Sequence, residues 1–290
     1  MKVEDIKKVS VIGFGTMGTA ITQTIAQAGY DVIARDITDD LLKRGLEMIK
    51  TGPFGLEKAV QKGKITKEQA DAVLSRIRVT TDLAEAVKDA DLVIEAVFEN
   101  LDAKKKVFLE IDKSAPRHAI IVSNTSTLSI TAMASATSRP EKVAGMHFFN
   151  PAQVMKLVEV IRGVLTSDET VETVRGLAER LGKTPIVVNR DIPGFVANRI
   201  GVPGMLEAIR LYEENVASAR DIDNAMKLGY NWPMGPLELA DLVGLDVLLD
   251  TAESIYMETR EPKYNPPVIL KQMVRAGLFG RKVKKGFYTY

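Results

Sequence analysis

The chain has 290 residues with 39 Lys and Arg against 38 Asp and Glu, a net charge of +1, so bulk electrostatics favour neither nucleic acid nor an anionic membrane surface. Its 46% hydrophobic and 27% charged composition is that of an ordinary soluble globular protein long enough for two domains, and zero cysteines exclude disulfides, a thiol nucleophile and a thiolate metal site. Residues 1–8 are charged and no apolar run reaches about 18 residues, which predicts neither a signal peptide nor a membrane span, and a cytoplasmic protein.

Residues 9–12 are apolar and rich in β-branched side chains, predicting a buried strand. Gly13-Phe14-Gly15-Thr16-Met17-Gly18 follows at once, then Ala20, Ile21, Thr24, Ile25 and Ala28 at helical spacing, with Gly29 as the stop. Residues 32–34 predict a second strand ending in Arg35-Asp36. Strand, glycine turn, helix and strand form the context in which such a loop binds a dinucleotide. Gly13 permits the tight turn, Gly15 lets backbone approach a pyrophosphate, and Gly18 lets helix and strand pack closely, with the phosphates on the helix N-terminus. Phe14 is bulky for its place and is expected to turn its ring away from the phosphates. Asp36 is placed to accept hydrogen bonds from the adenosine ribose and to repel a 2′-phosphate, favouring NAD over NADP, although Arg35 beside it is able to turn toward such a phosphate.

Charged stretches at 39–50 and 56–74, broken by Thr51-Gly52-Pro53-Phe54-Gly55, predict two or three surface helices around a turn. Further strands are predicted at 77–79, 92–97, 119–122, 143–146, 157–161 and 186–188, separated by helical segments such as 104–113 and 167–181. This alternation predicts an α/β fold, a Rossmann-type doubly wound and mostly parallel sheet. Past Arg190 no convincing strand remains, and helices are predicted at 195–214, 219–228, 237–239 and 245–258. Asp191-Ile192-Pro193-Gly194 reads as the joint between a dinucleotide-binding domain, 1–189, and an all-helical C-terminal domain, 190–290. The basic run 281–285 reads as a solvated tail segment.

The chain has two histidines. His118, beside Arg117, reads as a solvated loop residue. His147 stands between Ser126, 21 positions earlier, and Glu159, 12 positions later on a strand whose Val158 and Val160 face the other way. An imidazole that titrates near neutrality, oriented by a carboxylate, is what proton removal from an alcohol requires. Each residue also has a plainer reading: a satisfied core histidine, a surface carboxylate, and for Ser126 a turn hydroxyl or the N-cap of a helix beginning near Ile130.

Ser123-Asn124-Thr125-Ser126, His147-Phe148-Phe149-Asn150-Pro151, Met155-Lys156-Leu157-Val158-Glu159-Val160, Pro193-Gly194-Phe195-Val196-Ala197-Asn198-Arg199 and the segment containing Trp232-Pro233-Met234-Gly235-Pro236 together resemble the L-3-hydroxyacyl-CoA dehydrogenase family. The similarity runs over essentially the whole chain. It implies a reversible, NAD-linked oxidation of an L-3-hydroxyacyl-CoA, with 3-hydroxybutyryl-CoA the expected substrate, and a place in fatty acid metabolism. His147 would be the base, Glu159 its orienting acid, Ser126 a hydrogen-bond partner of the reacting oxygen, and Asn198 an amide donor reached by closure of the two domains. Glu99, Lys104, Ser126, Asn150 and Lys282 would contact NAD, and Lys50 and Lys58 are candidates for CoA. No metal is implied. The helical domain, with Leu206, Ile209 and Leu211, would join two copies as a homodimer. Two rival readings are a related dehydrogenase of a hydroxy or sugar acid without CoA, and a non-catalytic dinucleotide-binding protein.

Overall fold

The computed structural model describes residues 1–290 as two compact units, Met1–Asp191 and Ile192–Tyr290. In the first unit, β1 (Lys8–Ile12), α1 (Thr16–Gln27) and β2 (Asp31–Arg35) lead into three helices, α2 (Asp39–Thr51), α3 (Leu56–Gln61) and α4 (Lys67–Ser75). Then come β3 (Ile77–Thr80), α5 (Leu83–Val87), β4 (Leu92–Glu95), α6 (Leu101–Ser114), β5 (Ile120–Ser123) and α7 (Ile130–Ala134). The unit closes with β6 (Val143–Phe148), β7 (Leu157–Ile161), α8 (Asp168–Arg180) and β8 (Thr184–Val188). The second unit is helical: α9 (Ala197–Glu213), α10 (Ala219–Gly229), α11 (Pro236–Val243), α12 (Leu245–Thr259) and α13 (Val268–Arg275).

All eight strands join one sheet in the order β3-β2-β1-β4-β5-β6-β7-β8. Every neighbouring pair is parallel except β6 and β7. Strands β1, β4 and β5 are wholly or almost wholly buried, as expected where helices cover both faces. Strand order reverses between β1 and β4, and ligands of open α/β sheets bind outside the carboxyl ends of strands at such a point. The glycine loop after β1 sits there, and so do the segments that follow β4, β5 and β6.

Some boundaries and elements differ from the sequence expectation. The strand expected over 92–97 ends at Glu95, where the Glu95 carboxylate accepts the Val97 N–H at 2.7 Å and turns the chain out of the sheet. Ser129, not Ser126, caps α7: its hydroxyl accepts the Ala132 N–H. The run 281–285 is solvated as expected, with residues 282–285 exposed, but it is pinned to the second unit and is not a loose tail. Arg281 pairs with Glu238 at 2.8 Å, Lys282 pairs with Asp246, and short bridges join Gly280 to Lys285 and Lys285 to Thr289. The buried Asp241 carboxylate takes the N–H groups of Phe287 and Tyr288, which fastens this segment to α11.

Candidate active site

Because β6 and β7 run antiparallel, His147 and Glu159 are register partners. Directly opposed residues share a face with Cβ atoms about 5 Å apart. His147 Nδ1 lies 2.7 Å from Glu159 Oε2. An ionised carboxylate only accepts hydrogen bonds, so Nδ1 holds the proton and a neutral ring offers Nε2 as an acceptor. Ser126 Oγ, on the segment that leaves β5, lies 3.1 Å from Nε2 and donates to it. The imidazole is only 4% exposed, yet both nitrogens carry polar partners at the sheet's carboxyl rim. Phe149 covers it with ring centroids 4.5 Å apart.

Hydroxyl, imidazole and carboxylate in this order are also the parts of a serine hydrolase, which needs N–H donors free to hold an oxyanion. Here four consecutive N–H groups around Ser126 are engaged. Thr125 donates to Ser123 Oγ, Ser126 to Glu99 Oε1, and both Thr127 and Leu128 to Thr125 Oγ1. The Glu99 carboxylate, 3.0 Å from the Ser126 nitrogen, would repel an oxyanion formed there. The arrangement suits a base that takes a proton from a bound hydroxyl better than a nucleophilic serine.

The glycine loop is shaped for a ligand's phosphates. Gly13 has φ +100°, and a Cβ there would stand 2.5 Å from the Ala96 carbonyl oxygen. A Cβ at Gly18 would stand 1.8 Å from the Gly13 carbonyl oxygen, so α1 packs against the loop only with hydrogen there. At Gly15 a Cβ would meet nothing within 4 Å, so the backbone faces open space. Gly15 is the N-cap of α1, and no side chain caps that end, which leaves first-turn N–H groups and the helix dipole for an anion. These features fit the pyrophosphate of a dinucleotide. The Phe14 ring is 2% exposed and turned away under α2, where a Cβ on Gly45 would stand 2.3 Å from it. Asp36 Oδ2 accepts the Phe14 N–H at 2.7 Å and Oδ1 accepts that of Ile37 at 2.7 Å. Asp36 thus braces the loop, while each oxygen keeps a second lone pair for a ribose hydroxyl.

Two family models match nearly all of the chain. Residues 8–192 match the 3-hydroxyacyl-CoA dehydrogenase NAD-binding domain, and residues 194–290 match the C-terminal domain of the same family. The chain belongs to the 3-hydroxyacyl-CoA dehydrogenase family. It is 46% identical over 286 residues to a probable 3-hydroxybutyryl-CoA dehydrogenase of Bacillus subtilis, covering 99% of this chain and 98% of that one. It is 44% identical over 289 residues to the human mitochondrial hydroxyacyl-coenzyme A dehydrogenase, covering 98% and 91%. The crystal structure of (S)-3-hydroxybutyryl-CoA dehydrogenase from Ralstonia eutropha superposes with a TM-score of 0.91 at 43% identity, covering 99% of each chain. The protein is an NAD-dependent dehydrogenase of this family.

Within this 3-hydroxyacyl-CoA dehydrogenase the other expected site residues fall in different settings. Glu99 follows β4 and is tied to the Ser126 segment, accepting the Ser126 N–H and the Thr125 hydroxyl. Lys104, expected to contact the cofactor, is held inside the protein. It is 1% exposed, and its ammonium donates to Glu95 Oε1 at 2.7 Å and the Val97 carbonyl at 3.2 Å and pairs with Glu99 Oε2 at 3.1 Å. Asn150 is exposed just past the end of β6. Lys50 and Lys58 are exposed on α2 and α3 beside the turn that joins them. Asn198 lies half-buried in the first turn of α9, and Lys282 is in the second unit with Asp246. His118 is half exposed and paired with Asp91 at 3.1 Å.

Sequence reasoning missed Glu95, Ser123 and Lys183. Lys183 is buried and donates to the carbonyls of Ala152 and Met155 (2.9 Å to the latter), holding the loop that joins β6 to β7. Burial pushes the pKa of its ammonium below the ordinary lysine value, and Lys156 adds to the shift. Its one sequence signal was a cation after a helix-ending glycine, which suits a helix C-terminus and says nothing of a loop elsewhere.

Proposed function

We propose that this chain catalyses the reversible NAD-linked oxidation of an L-3-hydroxyacyl-CoA to the 3-ketoacyl-CoA, with 3-hydroxybutyryl-CoA as the substrate. The observation that carries the mechanism is the unbroken run from Ser126 Oγ through the His147 imidazole to Glu159, at 3.1 and 2.7 Å. His147 Nε2, the acceptor of the neutral ring, takes the C3 hydroxyl proton as that hydroxyl displaces the Ser126 donor. Ser126 then turns its hydroxyl to the same substrate oxygen. Glu159 stabilises the imidazolium across Nδ1–H and holds the tautomer that makes Nε2 the base. Bound NAD supplies the hydride acceptor. In reverse, the imidazolium returns its proton to the oxygen of the ketone. The exclusion of water implied by the nearly closed imidazole favours both directions.

Two similarities support the acyl-CoA substrate: the family match over both units and the naming of the Bacillus and Ralstonia relatives as 3-hydroxybutyryl-CoA dehydrogenases. The roles of Asn150 toward the cofactor, Lys50 and Lys58 toward CoA, Lys282 toward NAD and Asn198 toward the substrate rest on the resemblance alone. The decisive experiment follows NADH oxidation with acetoacetyl-CoA, acetoacetate and longer 3-ketoacyl-CoA esters, each repeated with NADPH. Turnover is expected with the four-carbon ester and NADH, with little or none for the free acid or NADPH. Turnover of acetoacetate alone, or of no ester at all, overturns the reading.

Cytoplasmic residence and pairing of two copies through the helical unit belong to the same proposal. No helix is long and apolar enough to cross a membrane. Leu206 and Ile209, expected at the seam between copies, are instead fully buried in the second unit's own core with Leu211 packed against it, so the pairing rests on the apolar side chains this unit exposes, Ile200, Leu228, Tyr230 and Val268. Sedimentation is expected to give twice the 31.8 kDa chain mass. A single-chain mass at micromolar concentration overturns the pairing.

A further inference from the structure

We propose that Glu95, with Ser123, is a positioning residue that ties the catalytic Ser126 segment to the glycine loop. The inference rests on the proposed role of Ser126 and His147. Glu95 ends β4 and pairs in register with Ile12 at the end of β1 and with Ser123 at the end of β5, so it stands between the two segments it links. Its side chain has no exposure to water.

Its hydrogen bonds go to the backbone just past β4, to Lys104 on α6 and to Ser123 at the head of the Ser126 segment. Oε1 accepts the Val97 N–H at 2.7 Å and the Lys104 ammonium at 2.7 Å, and Oε2 accepts the Ser123 hydroxyl at 2.6 Å. On one side, the 96–97 backbone that these bonds hold presses on the loop, since a Cβ at Gly13 would stand 2.5 Å from Ala96 O and 2.9 Å from Val97 N. On the other, Ser123 Oγ accepts the Thr125 N–H at 3.2 Å. Lys104 also bridges to Glu99 at 3.1 Å, and Glu99 holds the Ser126 N–H at 3.0 Å. A continuous path therefore runs from Gly13 through Glu95 to Ser126 and on to the His147 imidazole.

A buried ion pair is weak support for stability, because apolar replacements of similar volume often match it, so its retention here needs another reason. Two carboxylates on one ammonium fix directions that apolar packing leaves free. Here those directions set where the Ser126 hydroxyl lies relative to the cofactor loop. A displacement of about 1 Å in such a group costs up to about 10²-fold in rate.

The test is a double-mutant cycle in kcat between Glu95→Gln and Ser126→Ala, run alongside NADH affinity and thermal unfolding. If Glu95 acts through Ser126, Glu95→Gln lowers kcat by roughly 30-fold in the otherwise native enzyme and by less than about 3-fold where Ser126 is already alanine. Equal losses in both backgrounds, or no loss in the native one, overturn the proposal. Ser123→Ala, which removes one hydroxyl, goes through the same cycle with the same criteria and decides the matter should Glu95→Gln fail to fold. A native enzyme that turns over no acyl-CoA at all would instead sink the function proposed above, which keeps the two failures apart.

Discussion

At the scale of single residues, the proposed chemistry is concentrated in one imidazole. His147→Gln is expected to lower kcat by about 10⁴-fold, the upper range for a positioned general base, while NADH affinity measured by fluorescence titration stays within about twofold. Retention of most activity would remove His147 from the reaction. Glu159→Gln keeps an acceptor for Nδ1–H but not the negative charge that favours the imidazolium, so a smaller loss of about 10²-fold is expected in the same assay. His147, Glu159 and Ser126 were legible because a rare residue type fell between partner groups on either side. Glu95 and Ser123 were not legible: a glutamate and a serine at the ends of apolar strands look like the point where a strand meets water. Only the fold shows both buried, with Lys104 between Glu95 and Glu99.

Among the elements, helices and strands with strong periodicity or clear caps were read to within a few residues. The helix 167–181 appears as α8, with the Ser167 hydroxyl as its N-cap. Helix α5 has five residues and α13 eight, too short for a periodic signal, and neither was expected. Packing between elements was least legible, and two contacts yield predictions. Gly45 on α2 sits against the Phe14 ring, so Gly45→Ala forces that ring and the loop to shift. The substitution should cost about 1–3 kcal/mol by thermal or urea unfolding and weaken NADH binding together with stability. At the carboxyl end of α6, the buried Arg139 donates to Asp112 Oδ1 at 2.7 Å and to the carbonyls of Asp112 and Ala115. Burial alone would raise the Asp112 pKa, but the Ser138 N–H and the guanidinium outweigh it and hold the carboxyl below its ordinary value. A lowered folded pKa adds stability above the unfolded pKa near 3.9, and that share is lost as pH falls through the folded value. Asp112→Asn should therefore cost about 3 kcal/mol at pH 7 and flatten the decline of stability below about pH 5 in urea titrations. An unchanged acid limb would contradict this account.

Over the whole molecule, the α/β sheet and the helical C-terminal part were legible from the alternation of strands and helices and from its end past Arg190. The order of strands and the reversed direction of β7 were not, because they are set by which edges find partners and not by local pattern. The lysines of 282–285 are solvated as read, but the contacts with Asp241, Asp246 and Glu238 that dock the 280–290 segment leave no signal in a run of basic residues. With a net charge of only +1 near neutrality, self-repulsion between molecules is weak, so solubility should be lowest slightly above pH 7 and rise on acidification toward pH 6. Light scattering across that range checks it, and a minimum on the acid side would contradict it. The reversed strand has a consequence for how such enzymes can vary. Base and acid are neighbours across a ladder, so the eleven residues between them in the chain are incidental. Insertions or deletions in the connecting loop that leave the ladder in register, and leave the Lys183 clamp its two carbonyls, should preserve the pair. A one-residue slip of β7 would send the acid to the opposite face of the sheet and strand the imidazole without it.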